Sequence, residues 1–276
     1  MPGDTLLAFL SEPRPAYGTI ETVTPGVRRV VAPNPGPMTY HGTNTWLVDG
    51  DDGLIVIDPG PDDAAHVAAV ASAGRVRRIV LTHSHPDHVG AAAALSAATR
   101  APVHGWAKPW LKGFVPDVTI ADGEIVGGLK ALHTPGHASD HLCFIWRDGV
   151  LFTGDHVMSW NTSIVSPPDG DMAAYIDGLR MLLGRDDRLY LCGHGAPLPQ
   201  PQALVRGMLG HRMARESAVA ASLTAVAQTP MQIVNGLYSE LDARLKKAAE
   251  RTVLAHLIKL RAEGRALDED GVWQAK

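Results

Sequence analysis

Three imidazoles and one carboxylate stand within six residues in His83-Ser84-His85-Pro86-Asp87-His88. An isolated histidine is usually a satisfied surface or core residue. Four such groups on one turn are a poor choice for stability alone, because polar groups taken from water need partners. Imidazole and carboxylate are the donors that suit zinc, with iron and manganese as alternatives. One cluster cannot fill the shells of two ions, and the chain offers three further stations. His137 follows the turn Thr134-Pro135-Gly136, Asp155 follows Phe152-Thr153-Gly154, and His194 stands between Gly193 and Gly195. Glycine permits the tight backbone that aims a ligand inward. Each station alone reads as a loop residue, but four in this order read as a metal centre.

The apolar pattern predicts the elements that hold these groups. Residues 78–81 form a short apolar run, a buried strand that feeds directly into the first cluster. Residues 45–48 and 54–57 predict a hairpin around the turn 49–53. Helices are expected over 63–73 and 90–98, and strands over 102–104, 129–133, 142–146, 150–152 and 189–191. Strands alternating with helices, with the His/Asp stations at strand ends, predict a layered α/β domain whose site lies on loops. The segment Pro197-Leu198-Pro199-Gln200-Pro201 punctuates the chain, and after it only helices are expected, over 204–226, 231–238 and 245–263, the last ending at Gly264. Helix–turn–helix with a short glycine-containing extension is similar to a winged-helix unit. The boundary is therefore placed near Gln202, giving domains of 1–201 and 202–276.

Composition narrows the function classes. Hydrophobic residues at 45% and charged residues at 20% fit a folded globular protein rather than a disordered one. The two cysteines, Cys143 and Cys192, form no CxxC, which argues against a disulfide framework or a cysteine zinc site. The start Met1-Pro2-Gly3-Asp4 has no basic n-region, the apolar stretch 6–10 is too short for a leader, and no apolar run approaches the ~20 residues of a membrane span. A cytoplasmic protein without a membrane partner is expected. The net charge of −4 divides unevenly: residues 206–276 hold 11 Lys+Arg against 8 Asp+Glu, +3, and the rest holds 14 against 21, −7. A tail at +3 falls short of a nucleic-acid footprint, so a solvated helical surface is the expectation.

The series THSHPDHVG, HTPGH, FTGD and CGHG resembles the signature of the metallo-β-lactamase superfamily over about residues 20–200. The resemblance implies an αββα sandwich and two Zn2+ ions per chain. It assigns His83, His85 and His137 to the first ion, Asp87, His88 and His194 to the second, and Asp155 to both. It further implies hydrolysis by a hydroxide shared between the metals, oriented by Asp87, and makes Asp58, in Val56-Ile57-Asp58-Pro59-Gly60, a residue that orients a ligand. The remaining histidines carry less. His133 faces core or solvent, His141 and His156 support the site by packing, Cys192 is a buried strand residue, and His41, His66, His104, His211 and His256 have no companions.

Fold does not settle substrate. Asp155 stands where the commonest subclass of true β-lactamases carries cysteine. The chain has no room for the long insertion of the large RNA-processing members, and no segment matches the arm of the tRNA 3′-processing members. Residues 32–39 with 42–46, then Thr162-Ser163-Ile164-Val165, residues 167–172 and Tyr175, and in the tail Thr229-Pro230, Leu237-Tyr238 and residues 255–260, are similar to the β-lactamase-like protein 2 group, which carries a winged-helix appendage. Its animal member is a mitochondrial single-strand endoribonuclease, so the resemblance implies cleavage of single-stranded RNA. The alternative is thioester hydrolysis of the glyoxalase II type on a small molecule. A non-catalytic nucleic-acid-binding protein is a third, lesser reading. Asn44, Thr45, Ser163 and Tyr175 are offered as substrate contacts by motif position, and the tail as a wall of the cleft or a homodimer contact.

Overall fold

The computed structural model describes residues 7–276; residues 1–6, including the start read above for a leader, lie outside the described residues. A seven-stranded sheet runs in chain order: β1 (Glu21–Thr24), β2 (Val27–Val31), β3 (Asn44–Gly50) and β4 (Gly53–Ile57). Helix α1 (Ala64–Ser72) then leads to β5 (Val76–Val80), α2 (Pro86–Val89) and α3 (Ala92–Thr99) lead to β6 (Val103–Trp106), and β7 (Val118–Ile120) closes the edge. Pairing is antiparallel up to β4 and parallel from β4 to β7. The second sheet is again in chain order: β8 (Ile125–Val126), β9 (Leu129–His133), β10 (Leu142–Trp146), β11 (Val150–Gly154), β12 (Leu189–Cys192) and β13 (Leu198–Pro199). Only β11 and β12 pair in parallel, and α4 (Met172–Leu183) supplies the crossover such a pair requires.

Side chains of a strand alternate between faces, and here both faces are buried. Trp46, Val48, Ile55, Ile57, Phe144, Phe152 and Leu191 point into one core between the two sheets. Their neighbours Leu47, Leu54 and Val56 point outward under α1 and α3. Cys143, Leu151, Tyr190 and Cys192 point outward under α4. Burial on both faces explains why these strands read as continuous apolar runs. The layers are helix, sheet, sheet, helix, the αββα sandwich the resemblance implied.

The tail consists of α5 (Gln202–Ser222), α6 (Pro230–Leu237), α7 (Ala243–Ala262) and the hairpin β14 (Ala266–Glu269) and β15 (Val272–Ala275). Thr229 and Gln232 form a reciprocal cap at the start of α6. Helix α5 belongs to two cores: Leu204, Val205 and Met208 pack with the second sheet, and Val219 packs with Ile233, Leu257 and Trp273 in the tail. No described helix is long and apolar enough to cross a membrane.

Several expected bounds shift. The helix expected over 90–98 is α3, Ala92–Thr99, with the short α2 added before it, and that expected over 204–226 stops at Ser222, where Leu223 turns extended. Helix α4 and strands β1, β2, β7, β8, β13, β14 and β15 had no counterpart in the sequence reading.

Candidate metal centre

The clustered groups meet at one end of the two sheets. Strand β5 delivers the chain to Thr82 and His83; Pro86 opens α2, which puts Asp87 and His88 in one short turn. Strands β11 and β12 end side by side, so Asp155 and His194 leave neighbouring strands. Two glycines allow this convergence. A Cβ on Gly193 would lie 2.3 Å from Asp155 Oδ1, and one on Gly154 (φ +45) would lie 2.6 Å from His141 Nε2.

Seven sequence-predicted residues come together. His83 Nε2 and His137 Nε2 each lie 3.0 Å from His85 Nδ1. His194 Nε2 lies 3.2 Å from Asp87 Oδ2, and His88 Nε2 lies 3.6 Å from the same oxygen. Asp155 sits between the two sets: its Oδ1 is 3.5 Å from His88 Nε2, and its Oδ2 is 3.4 Å from His194 Nε2 and 3.7 Å from His137 Nε2. Potential ligand atoms fall into the trios His83/His85/His137, His83/His88/Asp155 and Asp87/His88/His194.

The outward nitrogens fix how these rings are presented. His137 Nδ1 lies 2.7 Å from Ile164 O and His194 Nδ1 lies 3.3 Å from Gly42 O. A carbonyl oxygen only accepts, so each Nδ1 carries a hydrogen and each Nε2 faces inward, where the neutral ring offers a lone pair. His88 Nδ1 donates to Asp58 Oδ2 at 2.8 Å. Thr82 Oγ1 gives its own hydrogen to Asp58 Oδ2 and receives His83 Nδ1 at 3.0 Å. His85 is reversed: its Nε2 lies 3.5 Å from Asp169 Oδ2, and its Nδ1 faces His83 and His137. Asp58 serves two rings from a buried position with a left-handed backbone, φ +53, a conformation that costs a non-glycine residue roughly 1 kcal/mol or more. Inward lone pairs at 3.0 Å repel unless a proton or cation lies between them. His88 Nε2, His194 Nε2 and Asp155 Oδ1 are buried with no hydrogen-bond partner. Converging, pre-oriented, unpartnered donors of this type fit divalent cations.

Charge divides the site. Burial opposes the charged form of every group here. Burial holds the His83 imidazole far below its ordinary range, with neighbouring histidines adding to the effect. It pushes His137 down to about 4 despite Asp155 nearby. On the other side the carboxylates prevail over burial. Asp87, Asp155 and Asp58 hold His88 well above its ordinary range, and Asp155 and Asp87 raise His194 to about 9. Against burial, His88 and His194 bring Asp87 down to about 2, and His194 and His88 hold Asp155 well below the usual carboxylate range.

The four residues offered as substrate contacts lie behind the site instead. Asn44 is buried and donates to Cys192 O and Gly195 O, so it braces the loop that carries His194. Thr45 Oγ1 meets buried His66 Nε2 at 2.8 Å. Ser163 Oγ donates to the carbonyl oxygens of Asp155 and His156, and Tyr175 is buried against His156. All four sit on elements that build the site, which motif position cannot tell apart from contact with substrate. His141 proves more specific than packing: its Nε2 accepts the Asp155 backbone N–H at 3.1 Å.

A cleft of about 300 Å³ opens over the cluster, lined by His85, Asp87, His137 and Asp155 below and by Met38, Trp110, Ile164, Pro167, Pro168 and Arg251 at its rim. The Trp110 loop is tied to the His83–His85 turn by Asp140, which accepts from Ser84 N and Trp110 N, both at 3.1 Å. A larger groove of about 750 Å³ beside α2 and α3 contains none of the seven clustered residues. Sequence reasoning missed Trp110, Asp169 and Arg251. Asp169 lay inside a quoted motif, but Trp110 and Arg251 carried no local signal.

Comparison with known proteins agrees with this geometry. Residues 38–194 match the Metallo-beta-lactamase superfamily, and residues 229–273 match the Beta-lactamase associated winged helix domain. A beta-lactamase-like protein 2 homolog of Drosophila melanogaster is 28% identical, covering 89% of this chain and 91% of that protein. An atrochrysone carboxyl ACP thioesterase of Aspergillus chevalieri is 30% identical, covering 92% and 87%. Among solved structures, a beta-lactamase domain protein from Burkholderia ambifaria superposes with a TM-score of 0.83 at 22% identity, over 99% of this chain and 98% of that one, a likeness of fold. The chain belongs to the metallo-beta-lactamase superfamily, as a hydrolase whose core domain is followed by a winged helix.

Proposed function

We propose that this chain is a dinuclear metal-dependent hydrolase acting on a small thioester. His83, His85 and His137 would hold one ion, Asp87, His88 and His194 the other, with Asp155 between them; zinc is assigned from the donor set. When bound, two such ions supply Lewis acidity toward the substrate oxygen and bring the pKa of a water toward ~7. The chain's own residues do the rest. Asp58, Thr82, Asp169, Ile164 O and Gly42 O keep the five rings in the orientation described above. Asp87, which lines the cleft while its Oδ2 faces His88 and His194, accepts a hydrogen bond from the attacking water through its other oxygen and aligns it. No serine or cysteine nucleophile is needed: Cys143 and Cys192 are buried and their thiols are pushed up to about 12 by burial.

The observation that carries the substrate reading is the cleft. Its size is at the lower end for small-molecule sites, its rim is Met38, Trp110, Ile164 and two prolines, and among the described residues Arg251 is the one lysine or arginine that lines it. A single strand of RNA calls for a run of cationic side chains along a groove and stacking platforms for successive bases, which this rim does not offer. The thioesterase named among the relatives points the same way. The test is turnover by the zinc-loaded full chain of S-butyryl-N-acetylcysteamine beside an unstructured single-stranded RNA, with Asp87→Asn as control. The expected result is thioester hydrolysis that the variant loses. Cleavage of RNA with the thioester intact would replace this reading by the nuclease one.

A further inference from the structure

Arg251 belongs to α7, in the tail, yet it lines the cleft together with His85, Asp87, His137 and Asp155. Its side chain is exposed, and its only hydrogen bond among the described residues is a long one, 3.4 Å from Nη1 to Ser166 Oγ. It forms no ion pair with any described residue. Four other cations of the tail are ion-paired, Lys259 with Glu216 and Glu263, Arg261 with Asp268, Arg265 with Glu216 and Glu263, and Arg244 with Asp242, and of the tail's cations Arg251 is the one that lines this cleft among the described residues. Asp169, at the same rim, is directed to His85 and Ser139 N rather than to Arg251. The rim also holds Met38 at 55% and Trp110 at 44% exposure, large apolar side chains open to solvent beside an unpaired guanidinium. Such a slot matches a substrate with an apolar body and one anionic group.

We propose that Arg251 is a specificity-determining residue that binds an anionic group of the substrate, a carboxylate or a phosphate, so that the tail contributes directly to substrate choice. The assignment rests on the thioester reading for the reaction but not for the binding of the anion. A guanidinium can grip either oxyanion through two parallel N–H···O bonds, whereas an ammonium meets it as a point charge. The anion can enter on either side of the scissile bond, in the acyl group or in the thiol.

The test compares three thioesters on the zinc-loaded full chain. S-butyryl-N-acetylcysteamine is neutral, S-glutaryl-N-acetylcysteamine carries an acyl-side carboxylate, and S-butyryl-4′-phosphopantetheine carries a thiol-side phosphate. Their ketone analogues, with CH2 in place of sulfur, serve for calorimetric binding without turnover. The wild type is expected to favour at least one anionic compound over the neutral one. In Arg251→Gln that preference should shrink by about 10- to 100-fold in both kcat/KM and affinity, while Arg251→Lys keeps part of it. The compound that loses its advantage tells carboxylate from phosphate. If no thioester turns over but the analogues still bind with an Arg251-dependent charge preference, the anion site stands and the thioester reading falls. Wild-type binding without a charge preference, or a preference unchanged in Arg251→Gln, overturns the proposal whether or not thioesters are hydrolysed.

Discussion

The floor and the rim of the cleft are built on opposite terms. On the floor the outward polar atoms are committed while the inward ones converge: rings are held by Asp58, Thr82 Oγ1 and two carbonyl oxygens, and Asp155 is fixed through its backbone by His141. At the rim Met38, Trp110 and Arg251 stand exposed, and Arg251 has no acidic partner among the described residues. A committed floor tolerates one arrangement and so determines the reaction. An uncommitted rim can differ between relatives without disturbing that reaction. Within one superfamily, rims can therefore part company while floors agree.

This comparison can be broken by substitutions on either side. The largest effect is expected at Asp155, which sits between the two sets of clustered residues: Asp155→Ala should lower kcat by on the order of 10³-fold and reduce bound metal, read by steady-state kinetics and elemental analysis. Asp58→Asn removes one oxygen that serves both His88 and Thr82. A loss of about 10- to 100-fold in metal affinity or activity is expected, and wild-type affinity in a chelator competition would count against the anchoring role.

Acid should reach the rim through α7. His256 on that helix is buried, and burial, reinforced by Arg212, Lys259, His211 and Arg215, leaves it at about 3 although Glu216 Oε2 lies 3.6 Å from its Nδ1. In the unfolded chain it takes up a proton below about 6.5, whereas the folded chain does not until about 3. Its contribution is therefore complete above pH 6.5 and is lost as pH falls toward 3, on the order of 2 kcal/mol by pH 5. Thermal melts from pH 7 to 5 should show this fall, and His256→Gln should flatten it. The smallest effect is expected at Trp110: Trp110→Ala should raise KM by less than about tenfold with little change in kcat, as a rim contact equal in ground and transition states would. A collapse of kcat there would mean that rim and floor are not separate.

Much of the floor was legible because the clustered histidines and aspartates announce themselves locally. Six residues carry four of the seven, and the other three follow apolar strands or a Pro-Gly turn. Asp58 was legible for the same reason, standing just after a strand. What was not legible is whatever depends on distant chain. Gly42 O and Ile164 O anchor His194 and His137 from far along the sequence, and a carbonyl has no residue signature. Asn44, Thr45, Ser163 and Tyr175 belong to motifs that surround the site, yet they serve it from behind. Strand β2 was obscured by Arg28 and Arg29, although Arg29 is buried and paired with Glu12 and Glu21. Helix α4 was obscured by Gly178 in its interior, a poor helix former, and the wing hairpin turns on Asp270-Gly271, a two-residue signal for such turns.

Metal content tests the central claim most directly. Elemental analysis of the full chain, purified without chelator, is predicted to find about two divalent ions per chain, and clearly fewer in Asp155→Ala that still melts cooperatively. A folded, hydrolytically active chain with far less than one ion would contradict the account.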